Sequence, residues 1–232
     1  MNKDEIVQAF DDMAPNYNAQ WIRMAPITNT LYFFMESILK NIPEDGSLLC
    51  VGAGTGKEIA HLAKHFPSLQ FTVVEPARNM MDLCISMTHE LGIYERCTFH
   101  CGFLDTLDDA TRHDAATSLL VSHFFMDNHV RSEFFAQIAQ RLKPRGILIN
   151  ADLTADTLGT SYAALLDFWL TLMMNADLSQ ELIDKAKQAY TTDVAILSQG
   201  SLNEVIMKAG FENPTTFYQA GMIQAQFVIK AC

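Results

Sequence analysis

Apolar residues recur at helical spacing through residues 3–20, interrupted by a turn at Pro15-Asn16, and again through 25–40. In the second segment Leu31, Phe34 and Ile38 share a face, and Pro43-Glu44-Asp45-Gly46 closes the helix. The period then changes. Short apolar runs at 47–52, 70–75, 97–101, 116–122 and 146–152 read as buried strands, alternating with helical patterns at 56–65, 77–91 and 129–142. Such alternation predicts a parallel sheet with helices on both faces and ligands at the carboxyl ends of the strands. One helix should follow the fifth strand, yet residues 155–197 intervene, with helical patterns at 158–175 and 179–190. Ser198 or Ser201 starts the next helix, Asn213-Pro214 breaks it off, and 215–230 hold two strand-like runs around Gly221.

The chemistry concentrates at the first strand. Ser47-Leu-Leu-Cys-Val-Gly-Ala-Gly-Thr-Gly-Lys57 is a buried strand running into a glycine-rich turn that opens a helix. Phe71-Thr-Val-Val-Glu-Pro76 is a second apolar strand ending in an acid, Glu75, 23 residues after Gly52. This is the start of a βαβ unit for an adenosine-like ligand: glycines let backbone approach closely, and the acid accepts hydrogen bonds from a ribose diol. A dinucleotide site wants a third glycine at position 57, which is a lysine. The glycines here alternate instead, at Gly52, Gly54 and Gly56.

That spacing resembles motif I of the class I S-adenosylmethionine (SAM) methyltransferases. The resemblance extends to Glu75-Pro-Ala-Arg-Asn-Met-Met81, to Asp114–Phe125 as a fourth strand, to Leu142-Lys-Pro-Arg-Gly-Ile-Leu148, and to Leu202–Phe211 with Lys208-Ala-Gly-Phe211. The N-terminal Ala9-Phe-Asp-Asp-Met-Ala-Pro-Asn-Tyr17 is similar as well. The resemblance implies an α/β, Rossmann-like three-layer sandwich. Its sheet would have seven mostly parallel strands with an antiparallel C-terminal hairpin strand, joined by a helical N-terminal segment (1–44) and a helical cap insertion (155–197). The SAM-binding domain would span 45–154 and 198–232. The cofactor, SAM or S-adenosylhomocysteine as product, would lie against Gly52, Ala53, Gly54, Gly56, Glu75 and Pro76. Phe103 would pack on adenine, the backbone of Leu104 would meet its edge, and Tyr17 would fold over it. Two departures stand out. The acid expected two residues before the first glycine, which helps hold the methionine amino group, is Cys50. The Gly-Asp expected after the third strand is Gly102-Phe103, with the next acid at Asp105.

His123 ends the fourth strand, where a methyl acceptor would sit, and its ordinary pKa near neutrality suits a general base. Trp21 and, in the insertion, Phe168, Trp169, Met173 and Tyr190 are the substrate-pocket candidates; Met174 extends that stripe. A stripe at helical spacing also serves as plain core.

The chain has 232 residues, 49% of them hydrophobic, so one α/β domain with an insertion fits. Its formal charge of −11, with 27 acids against 16 Lys and Arg, argues against a nucleic-acid partner. Met1-Asn-Lys-Asp-Glu-Ile lacks a signal-peptide core, and the most apolar window, 158–174, is too short and too polar for a bilayer. Five cysteines without a C-x-x-C argue for free thiols in a reducing cytoplasm and against a metal site. The expected activity is SAM-dependent methyl transfer to a small molecule, with no membrane partner and a homodimer left open. One alternative is a carboxy-SAM synthase, which the C-terminal third also resembles; no Arg or His follows Arg145 to grip its carboxylate. The other is a non-catalytic SAM-binding protein.

Overall fold

The computed structural model describes residues 2–108, 111–173 and 180–232. Seven strands form one sheet: β1 (Ser47–Val51), β2 (Gln70–Val74), β3 (Cys97–His100), β4 (His113–Leu119), β5 (Leu142–Leu153), β6 (Phe211–Ala220) and β7 (Ile223–Lys230). Their order is β3-β2-β1-β4-β5-β7-β6. The first five are parallel, and β7 runs antiparallel to both β5 and β6. The central strands read as nearly continuous apolar runs because both faces are covered. Leu48, Cys50, Phe71 and Val73 face one helical layer, formed by α2 (Ala25–Leu39), α3 (Lys57–His65) and α4 (Arg78–Glu90). Leu49, Val51, Val74 and Leu148 face the other, formed by α5 (Asn128–Gln140) and α8 (Gln199–Lys208). This is the Rossmann-like three-layer architecture. Chain order reverses between β1 and β4, which places the crevice for ligands at their carboxyl ends.

The N-terminal helix, α1 (Lys3–Gln20), runs straight through Pro15, against the turn expected there. Pro15 has no N–H for the Asp11 carbonyl four residues back. The Asn79 side-chain amide donates to that carbonyl at 3.2 Å, and the Asp11 carboxylate accepts the Asn79 backbone N–H at 2.7 Å. One residue pair thus repairs the proline defect and caps α4. In α2 the buried stripe is Leu31, Met35 and Leu39, while Phe34 of the expected face is exposed. The i, i+4, i+8 row wins because it is the one lying on α3 and the sheet.

β4 lies three residues earlier than expected, because His113 and Asp114 disguise its start. Asp114 accepts the Ser47 N–H at 2.9 Å and the Lys143 ammonium at 2.8 Å, so this polar residue is a strand residue with partners. The strand ends at Leu119. Leu120 takes a positive φ of 60°, and Ser122–Phe124 form a 3-10 turn. Past β5 lie α6 (Tyr162–Met173) and α7 (Gln180–Thr192); Met174 falls outside the described residues. Ser198 caps α8 by accepting the Ser201 N–H at 3.2 Å. That helix stops at Lys208, well before Asn213-Pro214. The Asn-Pro pair occupies a bulge in edge strand β6, where a residue without a ladder donor is tolerated.

Candidate cofactor and substrate site

The turn after β1 is pinned to β2 by its own backbone: the Gly52 and Ala53 N–H groups donate to the Val74 carbonyl at 2.8 and 3.2 Å. Gly54 (φ +55°) donates its N–H to Glu75 Oε2 at 2.9 Å, and Ala77 N–H reaches Glu75 Oε1 at 2.9 Å. Burial raises the Glu75 carboxyl pKa, and the two backbone donors work against that rise. Each oxygen keeps a further acceptor position. The three glycines differ in what they serve. A Cβ on Gly54 would meet nothing within 4 Å, whereas one on Gly56 would strike Met87 Cε at 2.5 Å and Cys84 Sγ at 2.6 Å. Gly56 therefore lets α4 pack against the turn and does not reach the cavity.

A cavity of about 490 Å³ opens beside this turn, within the range of roughly 300–1,000 Å³ usual for ligand sites. Gly52, Ala53, Gly54, Glu75, Pro76, Phe103 and Leu104 form one wall. From α1 and the 3-10 turn behind it (Trp21–Met24) come Phe10, Tyr17 and Trp21. Burial, with the nearby Glu75 charge, pushes the Tyr17 hydroxyl up to about 12. The Lys3 ammonium lies 4.6 Å over the Phe103 ring and pairs with Asp105 at 2.6 Å, so that acid is already engaged. Trp169, Met173 and Tyr190 line the far end, linked by hydrogen bonds: Trp169 Nε1 donates to Tyr190 Oη at 2.6 Å, and Tyr190 donates to Met173 Sδ at 3.2 Å. Phe168 is not brought there; it is 55% exposed on the outer face of α6.

Two groups that sequence reasoning passed over complete the site. Glu58, in the first turn of α3, is buried and lines the cavity. Its Oε1 accepts the Thr117 hydroxyl at 2.7 Å, and the Cys50 thiol lies against it. Burial pushes the Glu58 carboxyl up to about 7, and burial beside that acid raises the thiol. A helix-first-turn acid ordinarily signals no more than a favourable interaction with the helix dipole, which is why position 58 carried no warning.

The second group surrounds His123, which lines the cavity from the 3-10 turn after β4. Its Nδ1 is 2.8 Å from Asp152 Oδ1 on β5. Arg131 of α5 binds the other Asp152 oxygen through Nη2 at 2.7 Å, and Ser122 donates to that same oxygen. Arg131 Nε donates to Ser122 Oγ at 2.8 Å and Nη1 to the Ala195 carbonyl at 2.9 Å. Burial alone would raise the Asp152 carboxyl; the Arg131 charge and the bonds from His123 and Ser122 instead hold it well below the usual carboxylate range. In the neutral tautomer that donates Nδ1–H to the ionised Asp152, the imidazole Nε2 carries the lone pair. An aspartate at the end of an apolar strand was the one signal available in sequence.

Residues 48–146 match the family model described as a methyltransferase domain. The fold of the chain is shared with solved structures at low identity. A candidate O-methyltransferase of Nostoc punctiforme is 16% identical with a TM-score of 0.67, over 95% of this chain and 60% of that one. Human N-acetylserotonin methyltransferase, solved with SAM, is 14% identical with a TM-score of 0.58, over 82% and 49%. The [4+2]-cyclase SpnF is 16% identical with a TM-score of 0.58, over 80% and 74%. This chain thus spans between half and three quarters of the length of these three neighbours, and the fold alone does not fix the reaction. No curated protein sequence matches it.

Proposed function

We propose that this chain is a SAM-dependent methyltransferase that modifies an ionisable hydroxyl on an apolar small molecule. The observation that carries the reading is the pairing, in one cavity, of the Gly54–Glu75 cradle with the His123–Asp152 dyad. The cradle fits SAM: Gly54 faces open space, and the Glu75 oxygens have acceptor positions left for a ribose diol. Phe103 offers a face for adenine, and Tyr17 closes over the ligand from α1. Glu58 stands beside Cys50, where the resembled family has its acid, and supplies the carboxylate for the methionine ammonium from α3 instead. When bound, SAM supplies an electrophilic methyl group on a sulfonium.

His123 Nε2 takes the proton from the acceptor hydroxyl, and Asp152 stabilises the imidazolium through Nδ1–H. Positioning by the aromatic wall and proton removal together are the enzyme's main contributions to such a displacement. The O-methyltransferase description of the Nostoc neighbour agrees with a hydroxyl acceptor. Calorimetry with SAM tests the cradle. The wild-type chain should bind, and Glu75→Ala should lose about 1.5–3 kcal/mol, the worth of hydrogen bonds to a charged group. Equal affinity in the two proteins would end this assignment.

A further inference from the structure

His61 and His65 stand four residues apart on α3, so both imidazoles project from one face of the helix. The structure brings Glu36 of α2 between them. His61 Nε2 lies 2.8 Å from Glu36 Oε1, His65 Nδ1 lies 3.4 Å from Glu36 Oε2, and the two rings stack with centroids 4.9 Å apart. One ligand atom from each residue falls within 4.8 Å of the other two. Ligands bound tetrahedrally to Zn²⁺ at 2.0–2.2 Å stand roughly 3.3–3.6 Å from one another, so rotamer adjustments of about an ångström convert this cluster into a metal triad. The side chains are 13% (Glu36), 25% (His61) and 46% (His65) exposed, which leaves an open side for entry of an ion and for a water ligand.

We propose that Glu36, His61 and His65 bind one divalent transition-metal ion, with Zn²⁺ the best match to two imidazoles and a carboxylate. The site is separate from the cavity and structural in role. It staples α2 to α3, and α2 supplies Thr28, Leu31 and Tyr32 to the cavity wall. The Tyr32 ring lies 5.6 Å from that of His61, so the ion would fix the wall facing Glu58 from behind. The cysteines, read in sequence as free thiols that argue against a metal site, take no part in it.

The test uses the full chain, dialysed against a chelator and titrated with Co²⁺ as a spectroscopic stand-in for Zn²⁺. One equivalent should produce the visible bands of a four-coordinate nitrogen–oxygen site, without a thiolate charge-transfer band, and Zn²⁺ should displace it. Zn²⁺ should also raise the melting temperature, since an ion that binds only the folded state stabilises it. His61→Ala and His65→Ala should each cut affinity by more than the roughly 10–100-fold that even an outer-shell partner is worth. Glu36→Gln should weaken binding while preserving side-chain shape. Absence of saturable Co²⁺ binding would overturn the proposal, leaving an ordinary His–Glu ion-pair cluster. Binding that survives both histidine substitutions, or that carries thiolate bands, would overturn it too.

Discussion

Glu58 holds its proton to about pH 7, against 4.5 for an ordinary glutamate carboxyl, because burial opposes its charge. The folded chain then binds a proton the unfolded chain has already lost. Stability contributed at this site therefore falls as pH rises from about 4.5 to 7, by up to about 3 kcal/mol. Its neighbours Cys50, Tyr32 and Cys84 all have raised pKa values and stay neutral across that window; Glu75 is the other acid nearby. A ligand ammonium would favour the ionised form, so SAM affinity should rise between pH 5.5 and 7.5 with release of a proton. Glu58→Gln should flatten that profile and bind less tightly at the upper end. Calorimetry in buffers of different ionisation enthalpy reads both effects, and a flat wild-type profile would remove Glu58 from the ammonium site. His123 makes a different demand. His123→Gln should lower kcat by about 10²–10⁴, the usual worth of a positioned base, with SAM affinity unchanged. Asp152→Asn should lower kcat as well and also destabilise the fold by about 3–5 kcal/mol, since it strands the buried Arg131 charge. Activity in the His123 variant that rises with pH, as external hydroxide replaces the base, would support the assignment; unchanged kcat would refute it.

The helix α1 carries little core. Ala14 is its buried residue, packed with Phe10, Met13 and Tyr17 against Ala77 and Met80, and the rest of its hold on the domain comes from Asp11–Asn79, Lys3–Asp105, Asn18–Thr55 and the Phe10–Phe124 ring contact at 5.6 Å. Polar contacts at a partly exposed seam contribute about 0.5–1.5 kcal/mol each, so this helix opens more readily than the sheet. Hydrogen exchange over Lys3–Gln20 should slow when SAM binds, by more than in β1 or β4. Asn79→Ala, which removes the partner of the Pro15-orphaned carbonyl, should speed exchange in α1 while leaving the sheet alone. If α1 is as protected as β1 without ligand, it is fixed structure and not a closing element. At this scale the strands and most helices were legible in sequence, because each buries a face and its period shows which. The errors share a cause: Pro15, Asp114 and Asn213 break local rules, and their partners lie elsewhere in the chain or in an edge bulge. Local pattern cannot register a distant partner.

Across the whole molecule the same boundary separates the proposed cofactor wall from the proposed base. Gly54, Glu75 and Phe103 sit just past the ends of β1, β2 and β3, whose order is written into the βα alternation, so they could be read in sequence. Asp152 and Arg131 look in sequence like a strand-end acid and a helix-surface base; only the sheet order, with β4 beside β5, joins them to His123. The assembled cavity then bears on the acceptor. Trp21, Ile27, Phe124, Trp169, Met173 and Ile223 make it largely apolar, and among its described lining residues the Lys and Arg side chains are Lys3, paired with Asp105, and Lys57. The chain as a whole carries a formal charge of −11, which repels anionic ligands on approach. A dicarboxylate such as prephenate would lose its hydration without a bidentate partner. Incubation with SAM and prephenate should therefore leave the cofactor mass unchanged, and a neutral aromatic phenol should be methylated with a higher kcat/KM than its carboxylated analogue. Adding salt should narrow that gap, because screening weakens the repulsion and not the missing contact. A cofactor product heavier by a carboxylate would overturn methyl transfer in favour of carboxy-SAM synthesis, and a preference for the anionic phenol would show that the cavity's few cations outweigh its apolar walls.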